Sequence, residues 1–95
     1  MALKVLVTYT MKEGKRDDFL KAVIDGGLRD QVLAENGCLQ YDYYVTPHNE
    51  NTILLVERWE SREAQKIHLE QPHMAGVRQA KELYADNTEL EFYDI

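Results

Sequence analysis

Cys38 is the only cysteine among the 95 residues. It cannot form an internal disulfide, and alone it rules out a disulfide scaffold or a Cys-x-x-Cys metal or redox motif. The five glycines (14, 26, 27, 37 and 76) are scattered, so there is no phosphate-cradling loop. Basic residues are outnumbered, 11 against 17, for a formal charge of −6. That balance repels phosphate backbones and leaves no basic amphipathic face for an anionic bilayer, so neither nucleic acid nor membrane is an expected partner. Apolar runs are short, far from the roughly 20 residues of a membrane-crossing helix. The opening "MALKVLVTYT" lacks the parts of a secretory signal. The expectation is a soluble, cytoplasmic protein.

With 44% hydrophobic and 29% charged residues, the chain has an ordinary globular composition. No linker, repeat or low-complexity segment divides it, so residues 1–95 are expected to form one domain. A domain of this size buries only roughly 60–65% of the surface its unfolded chain exposes, and a second copy would remedy that.

Alternation predicts a strand over residues 2–10, with Leu3, Val5, Val7 and Tyr9 on one face and Leu6, Thr8 and Thr10 on the other. "MKEGKRDD" turns into a helix over residues 15–35, weakened in its middle by Gly26-Gly27 and ended by "ENG". "CLQYDYYVT" reads as a second strand, with Leu39, Tyr41, Tyr43 and Val45 sharing a face. "PHNEN" is a turn, and "TILLVERWE" returns antiparallel. Ser61 suits the cap of a helix reaching residue 70; Pro72 breaks it, and a further segment runs to residue 84. "ADN" is a turn before a last strand, "TELEFYDI". The order β-α-β-β-α-β defines an α+β, ferredoxin-like fold, an antiparallel sheet with two helices on one face.

A sheet open to water on its other side would alternate apolar with polar residues. Here Ile53 and Leu55 oppose Leu54 and Val56, and Val5 and Val7 oppose Leu6. Both faces need cover, and two helices provide one. A homodimer pairing the outer faces is the expected solution.

The chemistry narrows by elimination. His68 and His73 are five apart with Pro72 between them, against the three or four that two ligands on one helical face prefer, so no metal site is expected. Cys38 has no cue for activation, and Ser61 is explained as a cap. Trp59 shares a strand face with Ile53 and Leu55, while Ala64, Ile67 and His68 follow helical spacing on the next element. An aromatic pocket between sheet and helix is one reading of His68. A core histidine bonded to a backbone carbonyl, such as that of Glu57, is the other.

"VERWESREAQKIHLEQPHM", preceded by "ENGCLQYDYY", resembles the antibiotic biosynthesis monooxygenase (ABM) family, nearest to small members that oxidise quinols or degrade autoinducer-2. The residues carrying the likeness are Glu57, Trp59, His68, Pro72, His73 and Met74, with Gly37 and Cys38 at the second strand. The resemblance implies a dimeric α+β barrel with one pocket per subunit. It implies oxygenation of an electron-rich aromatic by dioxygen without metal, flavin or haem. In that frame His68 transfers protons, Trp59 stacks on substrate, and Tyr43 or Tyr9 orients its oxygens. His73 is a further substrate-binding candidate. Where the haem-degrading branch has asparagine, tryptophan and haem-ligating histidine, this chain holds Val7, His68 and Arg78, which argues against haem. Isomerisation of a phosphorylated dicarbonyl stays open, with Arg78 as the cationic anchor, as does a non-enzymatic binder of small ligands.

Overall fold

The computed structural model describes all 95 residues. Four strands, β1 (Leu3–Met11), β2 (Cys38–Thr46), β3 (Asn49–Trp59) and β4 (Ala85–Asp94), form one antiparallel sheet in the order β2-β3-β1-β4. The helices are α1 (Arg16–Leu20), α2 (Leu28–Leu33), α3 (Arg62–Leu69) and α4 (Met74–Tyr84), and a π-helical turn, Lys21–Asp25, follows α1. This is the ferredoxin-like arrangement, with the helices on one face.

Register explains the core. Val7 pairs with Leu55 on β3 and with Leu90 on β4, so residues of one parity line up across the sheet on the helix side. Leu3, Val5, Val7, Tyr9 and Met11 of β1 are all buried there, as are Ile53, Leu55 and Trp59 of β3. Phe19, Val23 and Val32 from the first helical region, and Met74, Val77 and Ala80 from α4, close over them. Phe19 meets Tyr9 with ring centroids 5.1 Å apart. On the other face Leu6, Thr8, Leu54 and Val56 are only half-buried, by their neighbours in the sheet.

Three elements depart from expectation. The helix over 15–35 is interrupted: Gly26 N–H donates to Lys21 O, five residues back, and Gly27 takes φ +83°, which ends one helix and opens the next. Glycine alone adopts that conformation without steric cost. In β2 the register shifts between Cys38 and Gln40, so Leu39 stands out at a bulge and is half exposed instead of sharing the face of Tyr41. No turn separates α4 from β4. Ala85 is already extended and pairs with Met11. The break at Pro72 and the start of α3 fall where expected, and the Ser61 hydroxyl accepts the Ala64 N–H at 3.1 Å.

Candidate active site

The helices stop short of β4. Leu90 and Phe92 project to the helix side yet remain 57% and 45% exposed. They form one wall of a pocket of about 270 Å³ between the sheet and α3 and α4. Val7 and Tyr9 of β1, Tyr41 of β2 and Glu57 of β3 line its sheet side; Gln65, His68 and Leu69 of α3 and Met74, Val77, Arg78 and Lys81 of α4 line the other. Other hollows are of comparable volume; one of about 360 Å³ between Leu28 and α4 is also mostly apolar but has no charged group in its wall. The one of about 320 Å³ around Gly14 and Asn51 has no hydrophobic residue in its wall. An apolar concavity holding a few convergent polar groups is the physical signature of a small-molecule site.

His68 is at the centre of a buried cluster, 1% exposed. It sits in the last turn of α3 and is the one buried residue of that helix, whereas Ile67, expected on the same face, is 51% exposed. Its ring is flanked by Trp59 at 4.5 Å and by Tyr41, edge-on, at 5.7 Å. His68 Nδ1 is 2.9 and 3.1 Å from the two carboxylate oxygens of Glu35. The same carboxylate receives His73 Nε2 at 2.7 Å. On the far side His68 Nε2 lies 4.0 Å from Glu57 Oε1, beyond hydrogen-bond reach. Glu57 Oε1 instead accepts the Trp59 indole N–H at 2.9 Å.

Electrostatics follow from burial. Removal from water lowers the His68 pKa, against the pull of Glu35, which favours the charged ring. Glu57 is pushed up to about 7 by burial, partly offset by its bond from Trp59. Burial also raises the Tyr9 and Tyr41 phenols, so both stay protonated at neutral pH. The floor of the pocket thus holds a carboxyl that titrates near neutrality, Glu57, and an imidazole that burial biases toward its neutral form, His68, beside two neutral phenols. At the opening Arg78 and Lys81 stand three apart on α4, with the Lys81 ammonium 6.0 Å from the Tyr9 ring centroid. The chain's Arg–carboxylate pairs, Arg16–Asp17, Arg29–Asp42 and Arg62–Asp94, lie elsewhere.

Among the residues singled out in the sequence, His68, Tyr9 and Arg78 meet at this pocket. The others lie off its wall. Trp59 is sealed beneath His68 and Glu57, where no substrate reaches its ring. Tyr43 packs edge-on against Tyr41 and Phe19, and its hydroxyl is buried without a partner. His73 turns toward Glu35. The alternative of a backbone-carbonyl partner for His68 is replaced by a carboxylate. Glu35 was legible only as part of a helix end, since its contacts lie 33 and 38 residues away. Glu57 and Tyr41 were on the correct faces but carried no mark of a pocket, and nothing in the sequence singled out Lys81. No group of three or more His, Cys, Asp or Glu side chains is arranged to hold a metal ion. The two histidines instead bond to the same oxygen of one carboxylate, Oε2 of Glu35.

Comparison with known proteins adds lineage to this geometry. The model of the antibiotic biosynthesis monooxygenase family matches residues 2–80. The putative monooxygenase YcnE of Bacillus subtilis is 36% identical over 74 residues, 77% of this chain and 76% of the relative. The structure of Rv0793 from Mycobacterium tuberculosis superposes with a TM-score of 0.84 at 26% identity, covering 100% of this chain and 95% of that one. A putative antibiotic biosynthesis monooxygenase from Nitrosomonas europaea gives a TM-score of 0.88 over 97% and 88% of the two chains; at 18% identity the likeness is one of fold.

Proposed function

The chain belongs to the antibiotic biosynthesis monooxygenase family, and from that premise we propose that it oxidises a small electron-rich aromatic, of the quinol or anthrone type, with dioxygen and no cofactor. The observation carrying this reading is the histidine at the floor of the apolar pocket, with Nε2 on the pocket side and free of hydrogen bonds. His68 takes a proton from the substrate there. The resulting anion passes one electron to dioxygen, and the radical pair recombines to form a carbon–oxygen bond. Protonation gives a hydroperoxide; loss of the remaining proton on that carbon, with cleavage of the O–O bond, leaves a carbonyl and water. The reaction returns every proton it borrows, so a base that becomes an acid is sufficient.

Tyr9, Tyr41 and Phe92 provide the aromatic walls on which the substrate rests, while Arg78 and Lys81 hold its developing oxyanion. Trp59 acts from behind, fixing Glu57 and backing the imidazole. The working unit is a homodimer in which two outer sheet faces pack together as an α+β barrel. The half-buried Leu6, Leu54 and Val56 support that assembly. The two cations at the opening favour one second reading, isomerisation of a phosphorylated dicarbonyl, for which they would bind the phosphate.

Oxygen uptake and quinone formation should both scale with protein concentration across a panel of quinols and anthrones, above the autoxidation blank and unaffected by chelators. His68→Ala should lower turnover by about 10² to 10⁴. Binding without turnover across the panel would make the protein a ligand carrier. Turnover of a phosphorylated dicarbonyl alone would favour the isomerase.

A further inference from the structure

Resting on the acid–base role of His68 given above, we propose that Glu35 is its positioning residue: anchored by His73, it holds the imidazole proton on Nδ1 and keeps the Nε2 lone pair available to the pocket. Glu35 follows α2, lies outside the pocket wall, and has a side chain only 7% exposed. Both its oxygens are within hydrogen-bond range of His68 Nδ1, and Oε2 also meets His73 Nε2. An ionised carboxylate only accepts, so each histidine must place its hydrogen on the nitrogen that faces Glu35. For His68 this leaves Nε2 bare. A flip of the ring about Cβ–Cγ would set a carbon, Cδ2, against Glu35 and forfeit that bond, and Trp59 and Tyr41 flank the ring.

The neighbouring groups do not substitute for Glu35. Glu57 on β3 is spent on Trp59 and stands 4.0 Å from Nε2. Cys38 on β2 is a thiol whose ionisation is opposed by burial, and the Tyr41 phenol likewise stays neutral. Glu60 and Glu63 share with Glu35 the hollow on the outer flank of α3, away from the imidazole. When Nε2 receives the substrate proton, the ring becomes an imidazolium with hydrogens on both nitrogens. The Glu35 carboxylate offsets that charge, and Nε2 later gives its proton to the departing oxygen. A carboxylate behind a histidine does the same in hydrolytic triads, where its loss costs orders of magnitude. His73 is assigned here to holding Glu35, not to substrate.

Glu35→Gln keeps the shape and removes the charge. Turnover should fall by about 10²-fold or more with KM changed by less than about threefold, since the carboxylate acts on the transition state and not on binding. The midpoint of the acid limb of kcat/KM should move to lower pH, because the imidazolium loses its counter-charge. A ¹⁵N NMR titration reads the same coupling without turnover: His68 should titrate at lower pH in Glu35→Gln than in the wild type. Equal midpoints, or a variant within twofold of wild-type kcat, would overturn the proposal. Should the variant not fold, ¹⁵N–¹H correlation on the wild-type protein decides, since hydrogen on Nε2 of neutral His68 contradicts it. If the wild type oxidises no member of the panel, the monooxygenase reading falls, while the titration still decides the role of Glu35.

Discussion

Glu57 and His68 are buried side by side with opposite consequences for stability. The Glu57 carboxyl, pushed up to about 7 mainly by burial, binds its proton more tightly folded than unfolded. Its contribution is therefore complete below its unfolded value near 4.5 and is lost as pH rises through about 7. His68, with its pKa lowered, is the reverse: the unfolded chain takes up the proton first, so stability falls as pH drops below the usual histidine value of 6.5. Replacing Glu57 with glutamine isolates the first effect, because the amide oxygen still accepts the Trp59 N–H. In urea denaturation, the variant should gain on the wild type by roughly 2–3 kcal/mol between pH 5 and pH 8. A constant gap between the two proteins would mean that burial does not perturb the carboxyl.

At the scale of elements, the site depends on a helix too short to stand alone. α3 has eight residues, well below the ~12–15 at which isolated helices become even marginal. It is held at one end by Ser61, whose hydroxyl caps Ala64 N–H, and near the other by His68, bonded to Glu35. Pro72 then forces the chain to start again as α4, which brings Met74, Val77, Arg78 and Lys81 to the opposite side of the pocket. Two short helices with a break enclose a pocket that one straight helix would fill or miss. Ser61→Ala should cost about 1 kcal/mol and lower Tm by about 4–8 °C. Calorimetry would check it, and an unchanged Tm would show that tertiary contacts alone fix the start of α3.

For the whole molecule, the outer face of the sheet is the unfinished surface. Leu6, Leu54 and Val56 lie there with Tyr44 and Tyr93, bordered by Lys4, Arg58, Asp42, Glu89 and Glu91. An apolar centre with a charged border is the anatomy of a protein interface. In the proposed dimer Val56→Glu puts a charge at that centre. Light scattering at micromolar concentration should give twice 11.1 kDa for the wild type and 11.1 kDa for the variant. A wild-type mass of 11.1 kDa would dismiss the dimer.

Local order was readable from the chain because its causes are local. Alternation in β1 and β3, the cap at Ser61, the break at Pro72 and the weakness at Gly26-Gly27 each depend on a few adjacent residues, and those cues led to the β-α-β-β-α-β order. The tertiary structure decided what alternation cannot express: depth, lateral neighbours and direction after a break. Period two puts Trp59 and Tyr43 on the helix side of the sheet, but only packing determines that Trp59 is sealed and Tyr43 is covered while Tyr9 borders a cavity. A one-residue bulge, invisible to periodicity, turned Leu39 outward. His73 could face anywhere after the proline, and its direction was chosen by Glu35, 38 residues earlier. That carboxylate is the clearest case. Nothing near it in sequence distinguishes Glu35 from the other acidic residues, because its role comes from two histidines brought to it by the fold.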